Sequence, residues 1–438
     1  MEFSKQSFPV GPACDINITS LFLEFGELAD NEEMYAELID RLTKACAPPE
    51  DPSSMRENLW NEYPEYMRPN NFLRIYIPPV LLVLGTIGNL LSFVIMAKNM
   101  LKVSTYSYLA VLAIMDLLVL YIGLLRMWIG AFALDIQHYS NLMCKTVTFL
   151  GYVSSVTSVW LIIAVTIERF IAVKFPLRAP RMCNVTRARI VIVTVIIAIC
   201  LLNSHIFWTV ELQPKGHNVT TYVCEASEQH AVLVSEVWPW VDAAVYSFVP
   251  FVIITILNIL IVRQVLYARE RRTKMQNIEL TTNFLRPKGS HKRPSESSKK
   301  LTCMLLAVSF TFLLTTLPMN LLLIVNVFMN NDDSGDQQSM RKRYAQVTLA
   351  RTVVELLMYV NHSVNFFLYC ATGRKFRRQV KDMFCMCFEG DFQTFLFRRN
   401  RRFSGSTMAS CRLSRINSYP HTPKKLIIEF DKRPTVQR

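Results

Sequence analysis

The sequence predicts an all-α integral membrane protein: a bundle of seven transmembrane helices followed by an interfacial eighth helix. Hydrophobic residues make up 51% of the 438 positions and charged residues only 19%. This is far more apolar than a soluble chain of this length needs for its core. Seven apolar segments are each long enough to cross a bilayer core of about 30 Å. The connections between them are alternately basic and acidic, which indicates a chain that crosses one membrane repeatedly.

The residues before the first apolar segment, 1–71, are predicted to form an extracellular N-terminal tail. Residues 1–68 contain 14 Asp and Glu against 5 Lys and Arg, whereas the rest of the chain is strongly basic. Because basic segments stay on the cytoplasmic side, this asymmetry places the N-terminus outside. We expect no cleavable signal peptide near Met1, so the first span would direct insertion.

The tail contains residues that suit an extracellular location. Asn17 is a glycosylation acceptor, and Cys14 and Cys46 could pair there. The acidic charge of the tail could attract a basic ligand and speed its arrival. The alternative, a merely solvated tail, is equally compatible with this composition.

The seven apolar segments are the predicted transmembrane bundle, residues 72–371. They cover residues 72–97, 104–131, 141–174, 186–209, 237–267, 298–328 and 345–371. The connections after the first, third and fifth segments are rich in Lys and Arg and are predicted to be cytoplasmic. The others carry acids and a second glycosylation acceptor, Asn218, and are predicted to be extracellular. Asn184 fits the acceptor pattern too, but it falls on the cytoplasmic side and should carry no glycan.

Two segments follow the seventh span. Residues 372–387 place Phe376, Val380 and Phe384 on one helix face among basic residues, which predicts an interfacial helix, and palmitoyl chains on Cys385 and Cys387 could hold its end. Residues 388–438 are predicted to be a disordered cytoplasmic tail. Hydroxyl residues beside bases within 398–422 predict phosphorylation that recruits arrestin. The alternative is a tail held to anionic membrane lipids by its charge alone.

The third segment carries the most specific local pattern. It runs without charged residues, apart from Lys145, from Cys144 to the triplet Glu168-Arg169-Phe170. As an α-helix it rises roughly 37 Å, so its ends lie on opposite sides of the membrane. A thiol at the outer end can form a disulfide, and an acid and an Arg at the inner end are costly unless paired or facing water. An ordinary span with a snorkelling Arg is the alternative.

Further motifs accompany this pattern inside the predicted spans. They are Gly88-Asn89, Leu112-Ala113 with Asp116, Ser158, Trp160, Pro250, Phe312, Pro318, and Asn361 with Asn365 and Tyr369. In combination they resemble rhodopsin-type seven-helix receptors, which couple to G proteins. The resemblance covers residues 72 to about 387.

The resemblance implies roles for individual residues. It pairs Cys144 with Cys224 of the second extracellular loop, and it makes Glu168, Arg169, Phe170 and Tyr369 the residues that couple to a heterotrimeric G protein. It also gathers Asp116, Ser158, Asn361 and Asn365 around a central sodium ion, whose loss would couple to the receptor's state. A neutral Asp116 hydrogen-bonded to Asn89 and Asn365 is the alternative to the ion.

The sequence departs from the usual pattern of these receptors at several positions. Thr316 replaces a tryptophan, Phe366 replaces a helix-kinking proline, and Asn258 replaces a tyrosine that commonly helps to hold the active state. Ser298 stands near the position of an acidic partner for the arginine. Glu168 is therefore the expected neighbour of Arg169.

Two absences restrict the ligand. Residues 345–371 contain no lysine for a retinal Schiff base, and Gly151 stands where amine receptors carry an aspartate. The outer half instead offers charged and aromatic side chains that suit a peptide ligand: Arg126, Trp238, Asp242, Arg351 and Glu355. The end of the seventh span also resembles neuropeptide receptors, including invertebrate receptors of the FMRFamide type. The alternatives are a salt bridge between Arg126 and Glu355 without a ligand role, and a small non-peptide ligand such as a lipid.

The predicted function is that of a plasma-membrane receptor for an extracellular peptide, with its N-terminus outside and its C-terminus in the cytoplasm. A transporter or channel is the alternative from another class, because intramembrane charges can also mark a substrate path. The absence of an internal repeat disfavours it. No His/Glu metal spacing or nucleophile elbow occurs in the spans, so an enzyme is not predicted. No nucleic-acid partner and no cofactor other than the sodium ion are expected.

Overall fold

The computed structural model describes residues 59–132, 134–215, 221–282, 296–330 and 337–388. Several sequence predictions lie outside these residues. They are the glycosylation of Asn17 and Asn218, the pairing of Cys14 with Cys46, and the phosphorylation within 398–422.

Within the described residues, seven long helices follow one another and a shorter eighth closes the series. They are α1 (Pro64–Ala97), α2 (Ser104–Gly130), α3 (Asn141–Lys174), α4 (Val185–Asn203), α5 (the consecutive segments Leu233–Val237, Trp238–Asp242, Ala243–Phe248 and Val249–Thr282), α6 (Glu296–Asn330), α7 (Gln337–Thr372) and α8 (Arg374–Phe388). Short helical turns cover Ile136–Tyr139, Ala179–Met182, Ile206–Thr209 and Glu228–His230.

Six of the described helices, α1 to α6, are long and apolar enough to cross a membrane. Their outward faces are apolar: Val80, Ile190, Val252 and Leu314 are each more than half exposed, a surface that suits lipid rather than water. α7 is less apolar because it carries charged and polar side chains along its length, but it packs between α1 and α6 and completes the bundle. The chain is a multi-pass membrane protein.

α3 lies at the centre of the bundle and α4 at its edge. Residues within the membrane-crossing window are 61% buried in α3 but only 22% buried in α4. The buried side of α3 packs in the main core together with Phe312 of α6 and Tyr369 of α7. Asn184 begins α4, and its side chain accepts a hydrogen bond from the Arg187 amide at 2.8 Å, which is the capping role that favours Asn there.

α1 and α7 both begin earlier than the apolar pattern predicts, and the predicted boundary between tail and bundle falls inside α1. Leu59 and Tyr63, just before α1, and Met67, in its first turn, form a buried cluster with Ala345 of α7. The Tyr63 hydroxyl also donates to the Gln338 carbonyl at 3.1 Å. The early parts of α1 and α7 therefore stabilise each other by packing. A hydropathy profile does not detect such packing.

The connection between α4 and α5 contains a β-hairpin, a local feature of the helical bundle that the sequence analysis did not predict. β1 (Val210–Lys215) and β2 (Thr221–Ala226) pair antiparallel, with Val210 opposite Ala226 and Leu212 opposite Cys224. Apolar and polar residues alternate along β1, as expected for a strand with one covered face. Val210 packs with Ile206 and Cys144, which sets the hairpin on the outer end of α3.

α8 follows Gly373 and has the predicted amphipathic pattern. Phe376 and Met383 are buried and Val380 packs beside them, whereas Phe384 is 48% exposed. Phe376, Val380 and Met383 therefore contact the bundle, and Phe384 is left free for the membrane interface that the sequence predicts for this face. Palmitoylation in its last turns stays a prediction.

Candidate functional site

The Asp116 carboxylate is the centre of a buried polar cluster in the middle of the bundle. It is 1% exposed. Its Oδ1 accepts hydrogen bonds from Ser158 Oγ at 2.9 Å and from His362 Nδ1 at 2.8 Å, and its Oδ2 accepts one from Asn365 Nδ2 at 2.7 Å. The Ser158 hydroxyl and the Asn365 amide N–H donate to the carboxylate, and His362 donates in the tautomer that carries its proton on Nδ1. The cluster joins α2, α3 and α7.

The central residues predicted from the sequence meet only in part. Ser158 and Asn365 bind Asp116, whereas the buried Asn361 Oδ1 has no hydrogen-bond partner among the described residues. Asn89 Nδ2 donates to the His362 carbonyl at 2.9 Å, so the alternative in which Asn89 binds Asp116 is wrong. Sequence reasoning missed His362. The sequence did offer a signal for His362: it lies three residues before Asn365, so the two side chains share one helix face.

At the C-terminal end of α3, Arg169 and Glu168 form a buried ion pair. Arg169 Nη2 donates to Glu168 Oε1 at 2.9 Å and also to the Thr105 hydroxyl. Ser104 and Thr105, in the first turn of α2, each donate a hydroxyl hydrogen to the same Glu168 oxygen at 2.7 Å. The expectation that Glu168 is the neighbour of Arg169 is confirmed, and α2 supplies the hydroxyls that hold both.

Arg169 also faces a small gap between α3, α5 and α6. The Asn258 side chain borders this gap, and neither of its polar atoms has a hydrogen-bond partner among the described residues. Beside it, Thr166 Oγ1 and Ser309 Oγ lie 3.1 Å apart and join α3 to α6. The end of the bundle that carries Arg169 is therefore closed around this side chain.

The thiol of Cys183, in the connection between α3 and α4, lies against this ion pair. Its Sγ donates to the Glu168 carbonyl at 3.8 Å. Burial, and secondly the negative charge of Glu168, raise the pKa of Cys183. The thiol therefore stays protonated at neutral pH and adds no second negative charge beside Glu168.

Phe170 and Tyr369, predicted to act with Arg169, lie apart from it. Phe170 lines a surface groove of about 550 Å³ together with residues of α5, and Lys174 Nζ lies 5.2 Å from its ring centroid. Tyr369 is buried and meets the Phe376 ring edge-on at 5.5 Å between centroids. In this closed arrangement only Glu168 and Arg169 come together.

The outer end of α3 carries the cysteine that the resemblance pairs with Cys224. The structure joins Cys144 and Cys224 by a disulfide, with their Cα atoms 5.5 Å apart. Leu212 of β1 adds a backbone hydrogen bond to the Asn141 side chain at 3.2 Å. The β-hairpin is thus fastened to the end of α3 opposite Arg169.

The predicted ligand residues surround the outer mouth, and most of their charges are already paired. Arg126 Nε lies 3.3 Å from Asp135 Oδ1, and Arg351 Nε lies 2.8 Å from Glu355 Oε1. The alternative salt bridge between Arg126 and Glu355 is therefore wrong. The Arg351 side chain is 70% exposed, so its pairing is open to solvent and to competition by a ligand.

Asp242 differs from the other charges of the mouth. Its carboxylate has no hydrogen-bond or ion-pair partner among the described residues, and it is only partly exposed. It follows the buried Trp238 by one helical turn. Trp238 contacts the Tyr152 ring at 6.2 Å and the His205 ring at 3.9 Å between centroids. An uncompensated acid thus stands beside an aromatic cluster.

The sequence also matches a described protein family across the bundle. Residues 88–369 match the family "7 transmembrane receptor (rhodopsin family)". The chain belongs to this receptor family. Its members are signalling receptors rather than enzymes, and the order of helices, the outer disulfide and the inner acid–Arg pair found here agree with membership.

Several characterised receptors are similar to the chain at low identity. The FMRFamide receptor of Drosophila melanogaster is 26% identical over 326 residues, 70% of this chain and 54% of that receptor. The thyrotropin-releasing hormone receptor of Gallus gallus is 25% identical, over 69% of this chain and 76% of that receptor. The histamine H2 receptor of Cavia porcellus is 27% identical, over 70% and 78% respectively.

The hydroxyl of Thr105 leads to a testable prediction about basal activity. Thr105→Val keeps the side-chain shape and removes both the bond to Glu168 and the bond from Arg169. Since a hydrogen bond to a charged group contributes about 1.5–3 kcal/mol, Arg169 is released more often. We expect ligand-free nucleotide exchange, normalised to receptor number, to rise several-fold.

Thr311→Val is the matched control, because the Thr311 hydroxyl bonds only to the Ala307 carbonyl of its own helix at 2.9 Å. It should leave basal exchange near the unmodified level. Equal basal exchange in both variants and the unmodified receptor would refute the role of Thr105.

Proposed function

We propose that this receptor lies in the plasma membrane with its N-terminus outside and its C-terminus in the cytoplasm, binds an extracellular peptide at the outer mouth, and activates a heterotrimeric G protein through Arg169. The disulfide suits the oxidising outer side. The basic connections suit the cytoplasmic side. Both agree with the direction of α3, which carries Cys144 at one end and Arg169 at the other.

The proposal extends to regions outside the described bundle. Glycans on Asn17 and Asn218 would follow from the extracellular position of their segments. Palmitoyl chains on Cys385 and Cys387 would hold α8 to membrane lipids. Phosphates within 398–422 would reverse the local charge of the tail and recruit arrestin.

The uncompensated Asp242 is the observation that supports a peptide with a positive charge. Arg126 and Arg351 each already form an ion pair with an acidic side chain, so neither needs a carboxylate from the ligand. Asp242 lacks a cation among the described residues, and an incoming arginine could bind it with two parallel hydrogen bonds. The aromatic cluster around Trp238 would take the neighbouring apolar side chain.

The similarity to the FMRFamide receptor also supports a peptide with a positive charge, since the letters of the name FMRFamide include an arginine. A small amine is the second candidate, because it too would bring a cation to Asp242 and a histamine receptor is among the relatives. Gly151, which leaves the middle of α3 without an acid, disfavours it.

The test is a ligand screen followed by one substitution. Cells that express the receptor are exposed to amidated peptides with and without arginine, to histamine and to lipids, with calcium and cyclic-AMP readouts. We expect an arginine-containing amidated peptide to activate it. Asp242→Asn should then lower the potency of that peptide on the order of 30-fold or more, because removing one partner of a buried charge pair costs about 2–5 kcal/mol.

Two controls make the result specific. Glu236→Gln alters an exposed acid of the same helix and should change potency by less than about threefold. A peptide with citrulline in place of arginine should lose potency on the unmodified receptor and be insensitive to Asp242→Asn. Activation by histamine or a lipid, but by no peptide, would overturn the peptide assignment.

A further inference from the structure

The donor set around Asp116 does not fit the sodium ion that the resemblance implies. A carboxylate offers about four lone-pair positions, and three of them accept hydrogen bonds from Ser158, His362 and Asn365. Two of these donors are N–H groups, whose positive ends point at the carboxylate and repel a cation. Hard cations are bound by oxygen atoms. The imidazole of His362 therefore takes a lone-pair position of Asp116 Oδ1 that an ion would otherwise use.

We propose that His362 takes the place of the sodium ion, so that the centre of this receptor is held by protein contacts alone and does not respond to sodium. The imidazole is fully buried, with 0% of the side chain exposed. An ion that takes the lone-pair position of Asp116 Oδ1 bound by His362 must displace this ring. Of the other ligands expected from the resemblance, Asn361 leaves its buried Oδ1 without a hydrogen-bond partner among the described residues, and this is a single oxygen.

His362 also connects more of the bundle than a bound ion would. Its ring binds Asp116 of α2 at 2.8 Å, and its backbone carbonyl accepts from Asn89 of α1 at 2.9 Å. One residue of α7 thus ties α1 and α2 together at mid-membrane. A site that depends on an ion loses its link when the ion leaves, whereas this link changes only when α7 itself moves.

The test uses the full-length receptor in lipid nanodiscs and needs no ligand. Its melting temperature is measured in NaCl and in KCl at about 150 mM, the physiological ionic strength. The unmodified receptor should melt at the same temperature in both salts. His362→Ser opens the space and adds a hydroxyl oxygen, so its melting temperature should be higher in NaCl by about 2–5 °C, because an ion that binds only the folded state stabilises it.

Two further variants keep the result decisive. His362→Asn retains an N–H donor that can reach Asp116, so it should stay as insensitive to sodium as the unmodified receptor. Asp116→Asn combined with His362→Ser should abolish the sodium shift, since the carboxylate is lost. A sodium-dependent melting temperature in the unmodified receptor would overturn the proposal, and so would a folded His362→Ser receptor that ignores sodium. If His362→Ser does not fold, the melting temperatures of the unmodified receptor and of His362→Asn in the two salts decide whether the proposal holds.

Discussion

Arg169→Ala is expected to abolish agonist-stimulated nucleotide exchange while ligand affinity stays within about threefold of the unmodified value. Arg169 is 7% exposed and held by Glu168 and Thr105. It is also at the far end of α3 from the outer mouth. If α6 moves outward on activation, the guanidinium is freed to face the G protein, and its five donors are what alanine removes. Purified receptor with G protein and a labelled nucleotide measures the effect directly.

The variant should still fold, because Glu168 keeps the hydroxyl bonds from Ser104 and Thr105 at 2.7 Å each. Arg178→Ala is the matched control: it removes an exposed arginine from the connection between α3 and α4 and should alter exchange by less than about twofold. Exchange at the unmodified rate from Arg169→Ala would show that the G protein contacts another part of the receptor.

The spans were predictable because crossing a bilayer demands a long apolar helix and little else. The predicted third segment, 141–174, coincides with α3 (Asn141–Lys174). The outer ends of α1 and α7 were missed for the same reason. Leu59, Tyr63 and Met67 lie in a stretch with too many polar residues to read as a span, and they are buried because they pack with Ala345. A hydropathy argument does not detect such tertiary support.

The central cluster shows the limit of reasoning by motif. Asp116, Ser158 and Asn365 were identified because the resemblance assigns them, and they do lie together. His362 matched no motif, so its bond to Asp116 was not anticipated, although any polar residue at mid-membrane requires a partner. The β-hairpin was missed in a similar way. Its apolar–polar alternation is visible from Val210 to Gln213, but it was short and lay between two strong helix signals.

Loss of the disulfide is expected to abolish both surface expression and ligand binding. The bond joins residues 80 positions apart, and closing a loop of that length contributes about 4 kcal/mol by restricting the unfolded chain. It also fixes β2 to α3 beside Tyr152, whose ring contacts Trp238 of the proposed ligand mouth. Without it, the hairpin keeps the packing of Val210 and the Leu212 bond to Asn141, which are weaker than a covalent link.

Cys144→Ser, Cys224→Ser and the double variant should therefore show the same loss of surface antibody staining and of agonist response, because each removes the one shared bond. If the three variants have equal effects, the cause is the loss of the bond and not of either side chain. The effects of two independent sites would add in the double variant. Cys200→Ser, which alters a half-buried free cysteine of α4, is the matched control and should retain most of the surface expression. Unmodified surface levels and agonist potency in the single variants would show that the receptor folds and binds its ligand without this bond.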